Sequence, residues 1–350
     1  MRENVRSEQG GTTGDNGKAG GRAGLRTWAS LLACAGLAAC AVGQAEAPRG
    51  APSAGVPATD DDAPMLADLP ARSKLSFFVE GGGRYSSPSE LDGTDTEVSV
   101  ARLRAALGVS YRVAADTDLI FRVSNEFSFY EFDHDGAGAP GIIPGMPSVE
   151  EPFDSVRATT ISPILRVTPA TGWNWSVGGR VTSAGEPGAD FGDTIAAGGF
   201  VMASYDIAEN LRLGAGVNVV TRLEGGVFVF PIPVIQWDIT EQLRVGTIER
   251  GVGLSYAFRP AWRAGLEVGF MRREYALADD NAIPEGTFTD QRVPITLSLT
   301  YSPDPRTVIA ARVGSEVWGD LEFNDRNENE VASYDLSPTL LVGLDVWIAF

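Results

Sequence analysis

From Lys74 to Phe350 one pattern recurs: apolar and polar residues alternate with period two, interrupted by short polar connectors. Side chains of a β-strand point to opposite faces in turn, so each such stretch has one apolar and one polar face. The last fifteen residues, LSPTLLVGLDVWIAF, show this most plainly. Leu336, Pro338, Leu340, Val342, Leu344, Val346, Ile348 and Phe350 hold the even positions, while Ser337, Thr339, Leu341, Gly343, Asp345, Trp347 and Ala349 fall on the odd ones. Hydrocarbon outside and water inside would suit the two faces.

The same alternation predicts a strand through Leu75, Phe77, Val79 and Tyr85, with Glu80 and Arg84 on the other face. It continues through Ala101–Tyr111 with Arg102, Arg104 and Arg112 interleaved, and through Leu119–Phe129 with Arg122 and Glu126. Further strands are predicted near residues 154–168, 173–183, 191–206, 211–223, 227–239, 243–249, 251–258, 262–276, 288–301 and 306–318. With the last stretch the chain makes about fourteen strands, or about twelve if the short pair at 243–258 stands outside the wall.

No stretch of the mature chain approaches the roughly 20 consecutive apolar residues of a spanning helix, which excludes a helical membrane protein. The net charge is −18. Residues 1–26 carry five basic against three acidic groups, so the remainder holds −20. That sign disfavours nucleic acid as a partner. Residues 1–45 read as a secretory signal, with the apolar run WASLLACAGLAACAVG and small residues at Gly43 and Ala45 for cleavage. The tetrapeptide ending at Cys40 offers the competing outcome, an acylated Cys40 as the new N-terminus. Residues 46–73 are rich in Ala, Pro, Gly and Asp and read as a disordered leader, leaving 74–350 as the single folded unit. Both cysteines, Cys34 and Cys40, precede it.

Connector lengths test the topology. Every second connector is short (114–117, 169–172, 208–210, 240–242, 260–261, 302–305), and the intervening ones include long stretches at 87–96, 133–153, 184–190, 277–287 and 319–333. Short turns inside and long loops outside is the rule of bacterial barrels, and it places both termini in the periplasm. In hydrocarbon an open sheet leaves unpaired edges, so the Leu75 strand is expected to pair with the Leu344 strand and close the wall. Tyr85, Tyr111, Trp173, Trp175, Trp262, Tyr301 and Trp347 would form interfacial girdles. With its terminal strand ending on Phe350, the chain resembles the uncharacterised porin-like outer-membrane β-barrel families of two-membrane bacteria. The resemblance implies an all-β, transmembrane, antiparallel up-and-down barrel in the outer membrane. It also implies that Val346, Ile348 and Phe350 are read by the barrel assembly machinery.

The inward positions hold an excess of arginine: Arg84, Arg102, Arg104, Arg112, Arg122, Arg180, Arg212, Arg222, Arg263, Arg292 and Arg312. Facing acids are Glu80, Glu126, Asp238, Glu267, Glu316 and Asp345. Two readings follow. Either these groups pair across the lumen and stiffen the wall, or they line a constriction that favours anionic solutes. The outer loops are acidic, as at Asp133, Asp279, Asp280, Glu322 and Glu328, and they give a second functional class, a closed structural or adhesion barrel. His134 is the sole histidine, and no nucleophile motif accompanies it, so neither enzyme chemistry, a metal nor a cofactor is expected. The expected function is passive diffusion of small hydrophilic solutes across lipid.

Overall fold

The computed structural model describes residues 74–134, 142–143, 152–248 and 251–350. The signal, the leader and Cys40 lie outside the described residues. The strands are β1 (Leu75–Glu90), β2 (Thr96–Ala114), β3 (Thr117–His134), β4 (Ser155–Val167), β5 (Trp173–Gly185), β6 (Ile195–Ala208), β7 (Leu211–Thr221) and β8 (Val227–Asp238). Then follow β9 (Leu243–Ile248), β10 (Gly251–Arg259), β11 (Trp262–Gly269), β12 (Met271–Ala276), β13 (Thr287–Asp304), β14 (Thr307–Asn324), β15 (Glu330–Leu336) and β16 (Thr339–Ala349). β11 and β12 are one pass of the chain broken at Phe270, and β15 and β16 one pass broken at Ser337 and Pro338. The sixteen segments therefore make a closed antiparallel barrel of 14 strands.

Neighbours in sequence pair from β1 to β11, then β11 with β13, β13 with β14, and β14 with β16. β16 closes the wall on β1, from Phe78↔Ala349 to Ser86↔Leu341, so the first and last strands meet as the edge argument requires. The short hairpin at 243–258 belongs to the wall: β9 pairs β8 and β10, and β10 pairs β11. On β16 the alternation is kept. Leu340, Val342 and Phe350 are exposed on the outside, and Leu341, Asp345 and Trp347 are buried inside.

Two sequence expectations are corrected. Trp347 joins no girdle: its odd position turns it inward with Asp345, where it stacks on Phe78 with ring centroids 6.4 Å apart. The long loops placed at 87–96 and 319–333 are shorter than expected, since β1 runs to Glu90 and β2 starts at Thr96, which leaves 91–95, and β14 and β15 leave only 325–329 between them. Alternation ends where a strand rises out of the apolar zone, but backbone pairing does not need alternation and continues. In that short 325–329 connection the Asp325 carboxylate accepts the backbone N–H of Asn329 and of Asn327, which holds it below the usual carboxylate range. At the end of the short turns, Trp173, Trp175 and Tyr205 cluster on the outside, and Trp262 lies 4.7 Å from Tyr301.

The wall is uneven in height. β2 has 19 residues and β3, β13 and β14 have 18 each, whereas β9 has 6 and β11 has 8. At ~3.3 Å per residue the tall side measures about 60 Å and the short side about 20–30 Å. Beyond the short side, at the loop end, β12 leans across the barrel and bridges β5 at Ala276↔Gly185. On the other flank Leu91 bridges Leu336, tying β15 to the end of β1. The tall strands thus close on themselves as a narrower enclosure. Its interior is solid: Tyr130, Phe132, Phe153, Tyr275, Phe288 and Phe323 pack with Leu321, Val98 and Val100, and Phe153 lies 4.7 Å from Phe288.

A second apolar layer lies at the turn end, where Phe78, Ile120, Ile164, Val308 and Trp347 meet. Phe78 fits there because its ring rests directly on Gly108, so a Cβ at that position would fall on the ring. Trp347 blocks the ring's retreat. Gly108→Ala is therefore expected to cost about 1–3 kcal/mol through overpacking. Denaturant midpoints of the folded barrel in detergent check this, and an unchanged midpoint would mean that the ring is free to move.

Candidate functional site: a divided lumen

Two halves of the inner face differ in chemistry. On β1–β3 and β12–β16 the inward positions carry charges, and the charges are paired out of water. Arg122 donates to Glu80 at 2.8 Å, and Arg273 donates to Glu126 at 2.7 Å. Asp290 receives Arg292 Nε at 2.7 Å, the Tyr130 hydroxyl at 2.7 Å, and Arg102. Arg292 also reaches Glu316. Arg312 binds Asp345 and, at 3.1 Å, Glu267, while Arg104 lies 4.0 Å from Asp345. Arg84 Nη1 approaches the Met271 sulfur at 3.6 Å. Removed from water, each charge needs its partner, and the network staples the strands of the tall side to one another.

The sequence-derived candidates thus divide by place. Arg84, Arg102, Arg104, Arg122, Arg292, Arg312, Glu80, Glu126, Glu267, Glu316 and Asp345 come together in or beside this network. Arg212 lies instead at the turn end, against Asp206 at 2.5 Å, as do Arg112 with Asp118 at 3.1 Å and Arg244 with Asp238. Arg263 is half-buried on β11, opposite Thr300 of β13. Arg180 and Arg222 line a cavity described below. Val346 and Ile348 are half-buried on the outside of β16, and Phe350 is exposed beyond it. His134 ends β3 with its Nδ1 2.6 Å from the Thr96 hydroxyl.

Asp290 and Arg273 escaped the sequence reading although they sit at the heart of the network. Both lie where the strands pass beyond the apolar zone and polar residues fill both faces. The usable signal was spacing: Asp290 and Arg292 are two apart, so they share a face.

The other half of the inner face is rich in glycine on β5–β7 and β9–β11. Gly178, Gly198, Gly214, Gly216, Gly246, Gly253 and Gly265 occupy inward positions and are half-exposed. The larger neighbours lie flat: Phe200 covers Gly178 and Met202 covers Gly216. These inward positions stay partly accessible, in contrast to the buried charges of the tall side.

Between that side and β12 lies a cavity of about 140 Å³. Its walls include Val220, Phe228, Phe230, Ile232 and Phe270, together with Glu126, Arg180, Arg222, Arg272, Arg273 and Glu274. Phe230 stacks on Phe270 at 6.5 Å, and the Arg272 guanidinium sits 5.7 Å from the centre of the Phe228 ring. Arg222 pairs with Glu224 and, at 3.3 Å, with Glu274. The sequence concealed this lining. VFVFPIPVIQW is apolar on both faces, so alternation could not choose which face turns inward.

Residues 175–348 match a domain of unknown function (DUF6268). No curated protein matches the chain by sequence. Among solved structures, the COG4313 outer membrane channel from Pseudomonas putida F1 is 8% identical, with 83% of this chain and 100% of that one covered at a TM-score of 0.46. The P. putida toluene transporter TodX is 10% identical over 81% of this chain and 93% of that one, with a TM-score of 0.39. The KdgM porin is 11% identical over 76% and 97%, with a TM-score of 0.28. The solutes in those names belong to those proteins.

Proposed function

We propose that this chain is an outer-membrane channel for passive passage of small hydrophilic solutes, with both of its ends in the periplasm. The observation that carries this reading is the contrast across one sheet: the outer surface of the wall is an exposed apolar band, while half-exposed glycines hold inward positions on β5–β7 and β9–β11. A soluble barrel would carry its apolar face inward. The apolar band supports insertion in lipid, and the short-turn end, where β1 begins and β16 ends, corresponds to the periplasmic side of bacterial barrels.

The packed rings of the tall side narrow the outer mouth, so solute runs along the glycine-lined side. Carboxylates match most inner arginines, which removes the basis for a strong ring of positive charge. Only a mild ion preference, toward anions if any, is expected.

Purified protein in planar bilayers tests this. Discrete conductance steps are expected, with a reversal potential in a salt gradient close to that of an unselective pore. A barrel that inserts and stays silent, while swelling assays show no sugar uptake, favours the closed barrel acting through its acidic loops.

A further inference from the structure

The wall has a side window, and the chain is built to tolerate it. The ladder between β8 and β9 covers only Gln236–Asp238 against Arg244–Gly246. Just above it, Thr247 Oγ1 donates to the Pro233 carbonyl at 2.8 Å and accepts the Ile235 N–H at 2.9 Å. A residue's N–H and C=O point to the same edge of its strand, so the odd positions of β8 face β9. Two of those odd positions are Pro231 and Pro233, which have no N–H.

An open strand edge in hydrocarbon is penalised chiefly through its unpaired polar groups. Here two donors are absent from the edge that stands open. Proline inside a strand belongs at such an edge.

The register gives the size of the window. Gln236 lies opposite Gly246, so Ile248, where β9 ends, is level with about Val234, and β10 sets out from Gly251. β8 runs on to Val227, and β11 ends at Gly269 before β12 leans inward. Beyond Ile248, among the described residues, no strand joins β8 to β12, over about 20 Å of strand length at ~3.3 Å per residue. The edges meet there through side chains: Phe230 on Phe270, Arg272 on Phe228, and Arg222 with Glu274. Val229, on the window's rim, is exposed outward, and Trp237, eight positions toward the turn end, marks the aromatic zone. With a strand tilt near ~40°, Val229 lies about 20 Å above that zone, inside an apolar band of roughly 25 Å.

Behind the window is the cavity walled by Phe228, Phe230, Ile232 and Phe270. Its volume, about 140 Å³, approaches that of the roughly 150 Å³ apolar cavity that holds benzene in an engineered protein core. We infer that the gap between β8 and β12 is a lateral port, through which neutral molecules of single-aromatic-ring size exchange between the lipid and this cavity. The rings of Phe230 and Phe270 form its leaf. The port is distinct from the hydrophilic path and rests only on the membrane part of the proposal above.

The test uses the full barrel in lipid vesicles with fluorobenzene as probe, followed by fluorine NMR. Saturable binding is expected. It should weaken at least tenfold in Ile232→Trp, which fills the cavity, and persist in Ile232→Leu, with single-channel conductance kept in both. Access is read separately with Phe228→Cys, since the folded unit has no native cysteine. A lipid-soluble phenylmaleimide should modify it at least ten times faster, relative to free thiol, than a sulfonated maleimide in the water. Absence of saturable binding, or no effect of Ile232→Trp, overturns the ligand assignment. Binding with equal reactivity toward both maleimides shows filling through the lumen and overturns the port. Failure to insert, seen as absent heat-modifiable migration, overturns the port together with the membrane reading, whereas loss of the port alone leaves conductance intact.

Discussion

Asp290→Ala lowers the denaturation midpoint of the folded barrel more than any other single change on its inner face. Asp290 is 0% exposed and receives Arg102, Arg292 and the Tyr130 hydroxyl. Its loss leaves one guanidinium without its ion-pair partner and another with half of its compensation, both out of water. Breaking a buried pair in this way costs about 3–5 kcal/mol, because the charge that remains has neither solvent nor partner. Asp290→Asn keeps an acceptor but no charge and should fall between the two. The comparison that gives the result meaning is Arg212→Ala at the turn end, where Arg212 and Asp206 are about a third exposed or more. Screened pairs of that kind contribute about 0–1 kcal/mol. Tryptophan fluorescence during denaturation in detergent reads both. Equal shifts for the two variants would mean that water reaches Asp290 and that the network is no staple.

Deleting Phe350 acts on assembly rather than on the finished fold. In the barrel the Phe350 backbone N–H donates to the Phe77 carbonyl at 2.8 Å and its carbonyl accepts the Phe77 N–H at 3.4 Å, while the ring is 63% exposed. Losing these two terminal backbone bonds, at about 0.5–1.5 kcal/mol each, costs about 1–3 kcal/mol. If Phe350, with Val346 and Ile348, is the segment that the assembly machinery reads, its deletion should reduce outer-membrane levels severalfold. The small amount that inserts should keep nearly normal heat-modifiable migration. Quantitative blots of fractionated membranes separate the two effects. Normal membrane levels would remove the assembly role, and a large loss of stability in refolded protein would show that the ring matters to the fold itself.

What could be read in the chain, and what could not, follows from the range of each interaction. Leu340, Val342 and Leu344 set against Asp345 and Gly343 defined the terminal strand, because alternation is a local property of two faces in two solvents. The same logic placed Arg102, Arg122 and Arg312 on the inner face. It could not tell that Arg102 would meet Asp290, 188 positions away. It misassigned Trp347, since an aromatic residue near a strand end reads as a girdle residue unless its parity is counted against Asp345. It also stopped strands too early at Ser86 and Trp318, where polarity on both faces ends the pattern but not the pairing.

By itself the sequence determined the class of fold and the closure of β1 on β16, and it narrowed the strand number to about fourteen or twelve. Those follow from solvent contrast and from the need to pair every backbone group, and both act strand by strand. Only the tertiary structure decided that the lumen divides into an ion-paired, ring-filled side and a glycine-lined side, and that Phe228, Phe230 and Ile232 turn inward beside an edge freed by Pro231 and Pro233. Those outcomes depend on unequal strand heights and on β12 crossing to β5, which no local period encodes.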